Sequence, residues 1–250
     1  MPRGSPFNRL KTAIYILLSV SSALSPLAWA DVKNSNGGFL DFNVYPYLSE
    51  VKGDNTVTIN IAATLPNRLS YFSLINLSNQ SSEGALQDTE NFYTEQNLRW
   101  QINKSSPLDL TLQMNFRSGQ DNDRHRLGFR WRISHTDLFG DLFSTLNLSW
   151  SINFHLLQID NEDPQVWQME HVFRMTFPYL TDRLYLAGFI DHTFNQDLPA
   201  NLPSSPIVGE AQVGLRIIEN LYVIGEYRIN QYRTADEANV AVGVEYKIKW

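Results

Sequence analysis

Between Leu108 and Gln120 the chain reads LDLTLQMNFRSGQ, with Leu108, Leu110, Leu112, Met114 and Phe116 alternating with Asp109, Thr111, Gln113, Asn115 and Arg117. Side chains of an extended strand point to opposite faces in turn, so this segment has one apolar wall and one polar wall. The same period recurs along the chain and predicts about twelve strands, over 39–47, 55–65, 68–78, 91–102, 108–119, 124–134, 145–159, 166–177, 183–194, 207–217, 221–232 and 238–250. Many of these reach or exceed the ~9–11 residues of a tilted membrane strand, whereas strands of soluble sheets average ~5–6. So many long, half-apolar strands need either a second protein layer to cover them or lipid around a closed cylinder.

Bulk composition does not separate the two. Mean hydropathy is −0.28, with 18% charged and 12% aromatic residues, values that suit a soluble domain. A barrel gives the same averages, because lipid-facing and lumen-facing residues cancel in any long window. The N-terminus is more informative. Arg3, Arg9 and Lys11 precede an apolar run from Thr12 to Leu24, and Ala28-Trp29-Ala30 stands before Asp31. A basic region, an apolar core too short to span and an A-x-A site predict a secretory signal peptide over residues 1–30, leaving 31–250 as the mature barrel. There is no cysteine, so an exported chain of this size must rely on packing or closed backbone hydrogen bonding, and thiol catalysis and cysteine metal sites are excluded.

The connections alternate in length. Segments 65–68, 103–106, 178–182 and 218–220 are short, while 81–90, 160–165 and 195–206 are longer and more polar. Short turns on one side and long loops on the other suit a barrel with both termini in the periplasm and an even number of strands. Segment 135–144, containing LFGDLF, breaks the alternation and predicts a small helix at the inner interface.

The last stretch, VAVGVEYKIKW, puts Val240, Val242, Val244, Tyr246, Ile248 and the terminal Trp250 in one phase. Here the chain resembles the Gram-negative outer-membrane β-barrel class, whose final strand ends in an aromatic preceded by alternating apolar residues. The resemblance covers the mature chain as architecture and the last ~11 residues as a motif. It implies a transmembrane antiparallel up-and-down β-barrel, all-β, in a bacterial outer membrane. Expected partners are outer-membrane lipid, lipopolysaccharide and the periplasmic barrel-assembly machinery, for which Val244, Tyr246, Ile248 and Trp250 would be the C-terminal signal. Trp100, Trp131, Trp167 and Trp250 fall near strand ends in the outward phase, as aromatic girdles do. In strand number the chain is also similar to small substrate-specific channels, the Tsx-like nucleoside channels and the acidic-oligosaccharide channels, but no motif carries site residues over from either.

With the apolar phase outside, RHRLGFRWRIS places Arg124, Arg126, Arg130 and Arg132 as a ladder on the inner wall, beside Arg117. Four like charges on one strand face repel and need compensation. Symmetrical hairpins would set Arg126 opposite Asn115 and Asn153, Arg130 opposite Thr111 and Ser149, and Arg132 opposite Asp109 and Asn147. The inward phase elsewhere supplies Glu95, Glu170, Asp191, Glu210, Glu226 and Glu245, with Arg99, Arg174, Arg216, Arg228, Lys247 and Lys249. Basic groups outnumber acidic ones on this wall, and many remaining acids, such as Glu83, Asp88, Asp163 and Glu237, fall in the outer loops. Twelve strands close to a backbone diameter of ~24 Å, leaving roughly 10 Å or less inside the side chains. Two readings stay open: a narrow, arginine-lined passive channel for small hydrophilic solutes with an anionic preference, or a lumen plugged by cross-barrel salt bridges, whose acidic loops bind a partner or lipopolysaccharide. Tyr185, Phe189, Tyr222 and Ile224 share the inward phase and could stack a ring or fill space.

A third possibility is a lipid-modifying enzyme, since His171 and His192 lie in the outward phase near the outer end; no serine accompanies them as nucleophile. Glu170 and Asp191 could face each other across a strand pair, with Arg174 near enough for a salt bridge. Asp121-Asn122-Asp123 and Asp160-Asn161-Glu162-Asp163 lack the glycine and spacing of a calcium loop. No cofactor, metal or nucleic-acid module is expected.

Overall fold

The structure is a computed structural model and describes residues 37–45, 55–78, 91–119, 123–136, 139–160, 165–234 and 237–250. The expected signal peptide and most of the Asp121 and Asp160 loops lie outside these residues. The strands are β1 Gly38–Val44, β2 Asn55–Leu65, β3 Leu69–Ser78, β4 Asn91–Gln101, β5 Leu108–Arg117, β6 Arg124–Arg132, β7 Leu148–Gln158, β8 Trp167–Phe177, β9 Thr181–Phe194, β10 Ile207–Ile218, β11 Leu221–Asn230 and β12 Ala238–Lys249. Each pairs antiparallel with its sequence neighbours, and β1 pairs with β12 from Phe39↔Lys249 to Val44↔Val244, closing a twelve-stranded barrel. No strand therefore presents an unpaired edge to its surroundings.

At one end, hereafter the turn end, the connections are tight. Asn67 and Arg68 adopt positive φ of 60° and 68° between β2 and β3, the left-handed geometry that matches the twist of a two-residue hairpin. The Arg68 guanidinium donates to Ile102 O and lies 5.0 Å from the Trp100 ring, holding that strained residue in place. The 135–144 segment contains a 3-10 turn, Ile133–His135, and a short helix, α1, Gly140–Leu146. Phe143 is buried and packs 6.2 Å from Trp150, and Asn147 at φ 50° ends the helix.

The apolar phase of most strands faces outward, with a few apolar side chains such as Phe72, Leu74 and Phe189 on the inner wall. Leu110, Leu127, Val213, Leu215, Val240 and Val242 are exposed on the outer wall, so the opening stretch of β5 has its leucines on the outside of the cylinder. Trp100 and Trp250 stand exposed at the turn end. At the opposite, loop end Trp167 stacks on Phe194 at 4.0 Å. Exposed aliphatic walls bounded by aromatic rings belong to a protein solvated by lipid.

Two strand registers differ from symmetrical hairpins. Arg130 pairs with Asp109 rather than Thr111, and Arg126 with Gln113 rather than Asn115. A slip of two residues leaves every side chain on its own face, so the hydrophobic pattern cannot specify it. Between β6 and β7 the register shifts at Leu127/Gly128, so Arg126 meets Gln158 and Arg130 meets Asn153. This bulge sets Leu156 and Leu157, successive residues, both on the exposed surface. Gly128 sits at the bulge, where a Cβ would come within 1.7 Å of Phe154 O. Gly128→Ala should therefore destabilise the barrel by about 1–3 kcal/mol through overpacking, seen as a lower urea midpoint in vesicles, while Gly225→Ala, with nothing within 4 Å of the new methyl, should leave the midpoint unchanged.

Candidate functional site: the lumen

A cavity of about 1210 Å³ occupies the barrel interior. Its lining runs from Gly37, Thr64 and Ser70 at the turn end to Gln196, Arg233 and Glu237 at the loop end. Its wall is built from the polar phase of the strands, because closure with the apolar phase outward leaves polar residues only one place to go.

Arg117, Arg124, Arg126 and Arg130 line this cavity; Arg132 lies at its turn end. Their partners differ in kind. Asp109, 1% exposed, takes Arg130 through Nη2 at 2.5 Å and Nε at 2.7 Å, and Arg132 at 3.3 Å. Arg132 also donates to Ser106 O at 2.6 Å and stands 3.2 Å from His135 Nδ1. Partial burial and the adjacent Arg132 and Arg130 hold the His135 imidazole below its usual range, so it remains neutral beside the cation. One carboxylate thus pairs with both lower rungs of the ladder and offsets one of their two charges.

Arg126 is held differently. Its Nη1 donates to Gln168 Oε1 at 2.7 Å and Gln113 Oε1 at 3.0 Å, and its Nε to Gln158 Oε1 at 3.3 Å. Amide oxygens satisfy the donors and fix the guanidinium without cancelling its charge. Arg117 is positioned with its guanidinium 5.3 Å from the Tyr93 ring.

Beside the ladder, Glu170 accepts from Asn153 Nδ2 at 2.5 Å, with His155 Nε2 at 3.6 Å. Glu95 accepts from Asn97 at 2.6 Å and Tyr93 at 3.1 Å. Asn97, Asn153 and His155 are fully buried, so the β4–β8 part of the lumen is filled by interlocked polar side chains. Glu170 and Asp191 are paired directly across β8 and β9, as the sequence allowed, and the Arg174 guanidinium lies over the Tyr185 ring, at 4.3 Å.

A second cluster covers the β9–β1 wall. Lys247 bridges Asp41 at 3.1 Å and Glu245, and Arg228 bridges Glu226 and, at 3.6 Å, Glu210. Asp41 and Tyr45 both belong to this wall, and the sequence reading omitted them although β1 shares the alternation. Arg216 sits at the turn end on Asp182, 2.5 Å away.

The aromatic residues separate into two roles. Tyr185 is 3% exposed, donates to Glu245, accepts from Gln212 at 2.5 Å, and meets Tyr222 edge-on at 5.6 Å. Its ring lies against Gly214, where a Cβ would come within 2.2 Å. Tyr185 and the buried Ile224 pack into the wall with the half-buried Tyr222 beside them, and Tyr185 also lines the cavity. Phe189 lines the cavity.

On the outer face, Val244, Tyr246 and Ile248 follow the outward phase of β12, and the Trp250 ring covers Gly38 of β1. His171 accepts from Trp150 Nε1 at 3.3 Å, and His192 packs on Phe194 at 4.1 Å. Among the described residues no serine hydroxyl bonds to either histidine, and no group of His, Cys, Asp or Glu is arranged to hold a metal ion.

No protein-family model matches the chain, and no curated protein matches it. Among solved structures it is similar to the KdgM porin, at 12% identity over 84% of this chain and 98% of that one, TM-score 0.45. The same figures hold for that porin in complex with disordered oligogalacturonate. It is similar to an outer membrane channel from Pseudomonas putida F1 at 8% identity over 91% and 100% of the two chains, TM-score 0.43. The strand pairing itself makes the architecture a closed twelve-stranded antiparallel β-barrel. No site residue passes from these proteins to this chain.

Asp109→Asn would leave two adjacent guanidiniums without their shared anion. Unfolding free energy in vesicles should fall by about 2 kcal/mol, and adding Arg132→Gln to that variant should recover part of the loss in a double-mutant cycle.

Proposed function

We propose that the protein is a passive channel of a bacterial outer membrane, carrying small hydrophilic solutes and favouring anions. Residues 1–30 act as its secretory signal, and Val244, Tyr246, Ile248 and Trp250 as its assembly signal. The observation that carries the channel reading is the cavity lined from the turn end to the loop end. The anionic preference is supported by the way the ladder is satisfied: Arg126 is bound by neutral amides, so its field remains available to a solute, whereas Arg130 and Arg132 share Asp109. Diffusion through such a field needs no moving part, since fixed charge on a narrow wall raises the local concentration of the opposite sign.

A plugged barrel has one observation in its favour, the buried Asn97–Asn153–His155 network beside the ladder. Purified protein in a planar bilayer separates the two. Conductance steps with an anion-selective reversal potential are expected; a folded barrel that never conducts would overturn the proposal. A unit charge ~7 Å from a permeant ion in water-like surroundings is worth ~0.6 kcal/mol, about threefold in relative permeability. Arg126→Gln should lower the anion-to-cation permeability ratio by about that factor, and Arg132→Gln by less.

A further inference from the structure

The turn end has two unlike halves. Between β2 and β5 its connections expose Asn67, Arg68, Asn103, Lys104 and Ser105, with Ile102 the one large apolar side chain exposed among them. From α1 round to β10 they expose Phe139, Leu142, Leu146, Tyr179, Leu180 and Ile218, with Leu142 at 55%, Leu180 at 79% and Ile218 at 63%. On α1 the residues Phe139, Leu142 and Leu146 recur at helical spacing, while Phe143 holds the helix against Trp150. The register shift between Arg216 and Ile218 leaves Ile217 and Ile218, successive residues, both exposed at the end of β10. In water, two consecutive outward isoleucines beside an exposed Tyr-Leu turn would be costly.

These side chains continue the lipid-facing wall past the strand ends. Above them on β10 stand Val213 and Leu215, both exposed. The strands are also somewhat longer on this side: β9 has 14 residues and β10 has 12, against 10 or 11 in β2 to β5. Asp182, Arg183 and Arg216 beside the rim are satisfied within the protein, whereas Asp141 and Glu219 are exposed. Asp182 pairs with Arg216 at 2.5 Å, and Arg183 donates to Arg216 O at 2.7 Å and Ile217 O at 2.6 Å. Ser144 and Thr145 turn their hydroxyls onto Asp141 O, at 3.0 and 2.7 Å, rather than outward. Across the barrel Arg68 caps the Trp100 ring and Lys104 is exposed, a pairing of aromatic and cation that suits a headgroup boundary.

We propose that the apolar half of the turn end is a lipid-binding surface, with α1, the Tyr179-Leu180 turn and the end of β10 immersed in the inner-facing phospholipid leaflet. The barrel consequently sits tilted, deeper on the α1–β10 side and shallower on the β2–β5 side. Accommodating an uneven apolar height by tilt costs less than exposing the rim to water. Its occupant is phospholipid because the rim is continuous with a wall already solvated by acyl chains.

The chain has no cysteine, so single nitroxide labels can be placed in the full barrel at Leu142, Leu180 and Ile218, and at Asn67 and Ser105 for comparison. The labelled proteins are reconstituted in phosphatidylethanolamine/phosphatidylglycerol vesicles, and each label's relaxation by oxygen and by a water-soluble nickel chelate is measured. The first three labels should be relaxed more by oxygen than by the chelate, and the last two more by the chelate. Chelate-dominated relaxation at all five sites would overturn the proposal by placing the rim in water. Shielding of the first three from both reagents would overturn it equally, by showing a protein partner or second copy over the rim.

Discussion

The barrel depends on the pairing of β1 with β12. Until Phe39–Val44 meets Val244–Lys249 the sheet has two edges, and an unpaired strand edge in hydrocarbon costs several kcal/mol per exposed backbone group. Closure removes that cost and fixes everything else. The apolar phase of each strand must go outward, the polar phase must go inward, and the charged residues of twelve strands are forced into one narrow space.

The lumen handles this crowding in two ways. Where carboxylates are available the cations are paired, as in Lys247 with Asp41 and Glu245, and Arg130 and Arg132 with Asp109. Elsewhere amides hold the cation, as the three glutamines do around Arg126, with Glu95 and Asp191 near enough to act on its charge. The two solutions have different consequences. An ion pair is electrically quiet at a distance, while an amide-bound guanidinium is rigid and still charged. A wall using both can be stable and retain a selective field at particular rungs.

Much of this was legible because an outer-membrane barrel obeys one rule repeated twelve times. Leu108, Leu110 and Leu112 declare the face of β5, Trp250 declares the end of β12, and the break in loop lengths at 135–144 announces α1. Neighbour identity was not legible. Whether Arg130 meets Thr111 or Asp109 depends on a two-residue slip that preserves every face, and the bulge at Gly128 depends on crowding against Phe154 that only three dimensions reveal. Tyr185 has the phase of a lumen aromatic, but its burial is set by Gly214 on the next strand and Glu245 two strands beyond that. Asp41 was available from the same alternation within 39–47, in phase with Asn43.

The central physical claim is that the aliphatic wall and its tryptophans meet hydrocarbon. Tryptophan fluorescence of the mature barrel in vesicles of lipids brominated at successive chain depths tests it most directly. Quenching strongest for bromines near the headgroup ends of the chains is expected, because Trp100, Trp131, Trp150, Trp167 and Trp250 lie toward the ends of their strands. Fluorescence untouched by bromine at every depth yet quenched by aqueous iodide would contradict it.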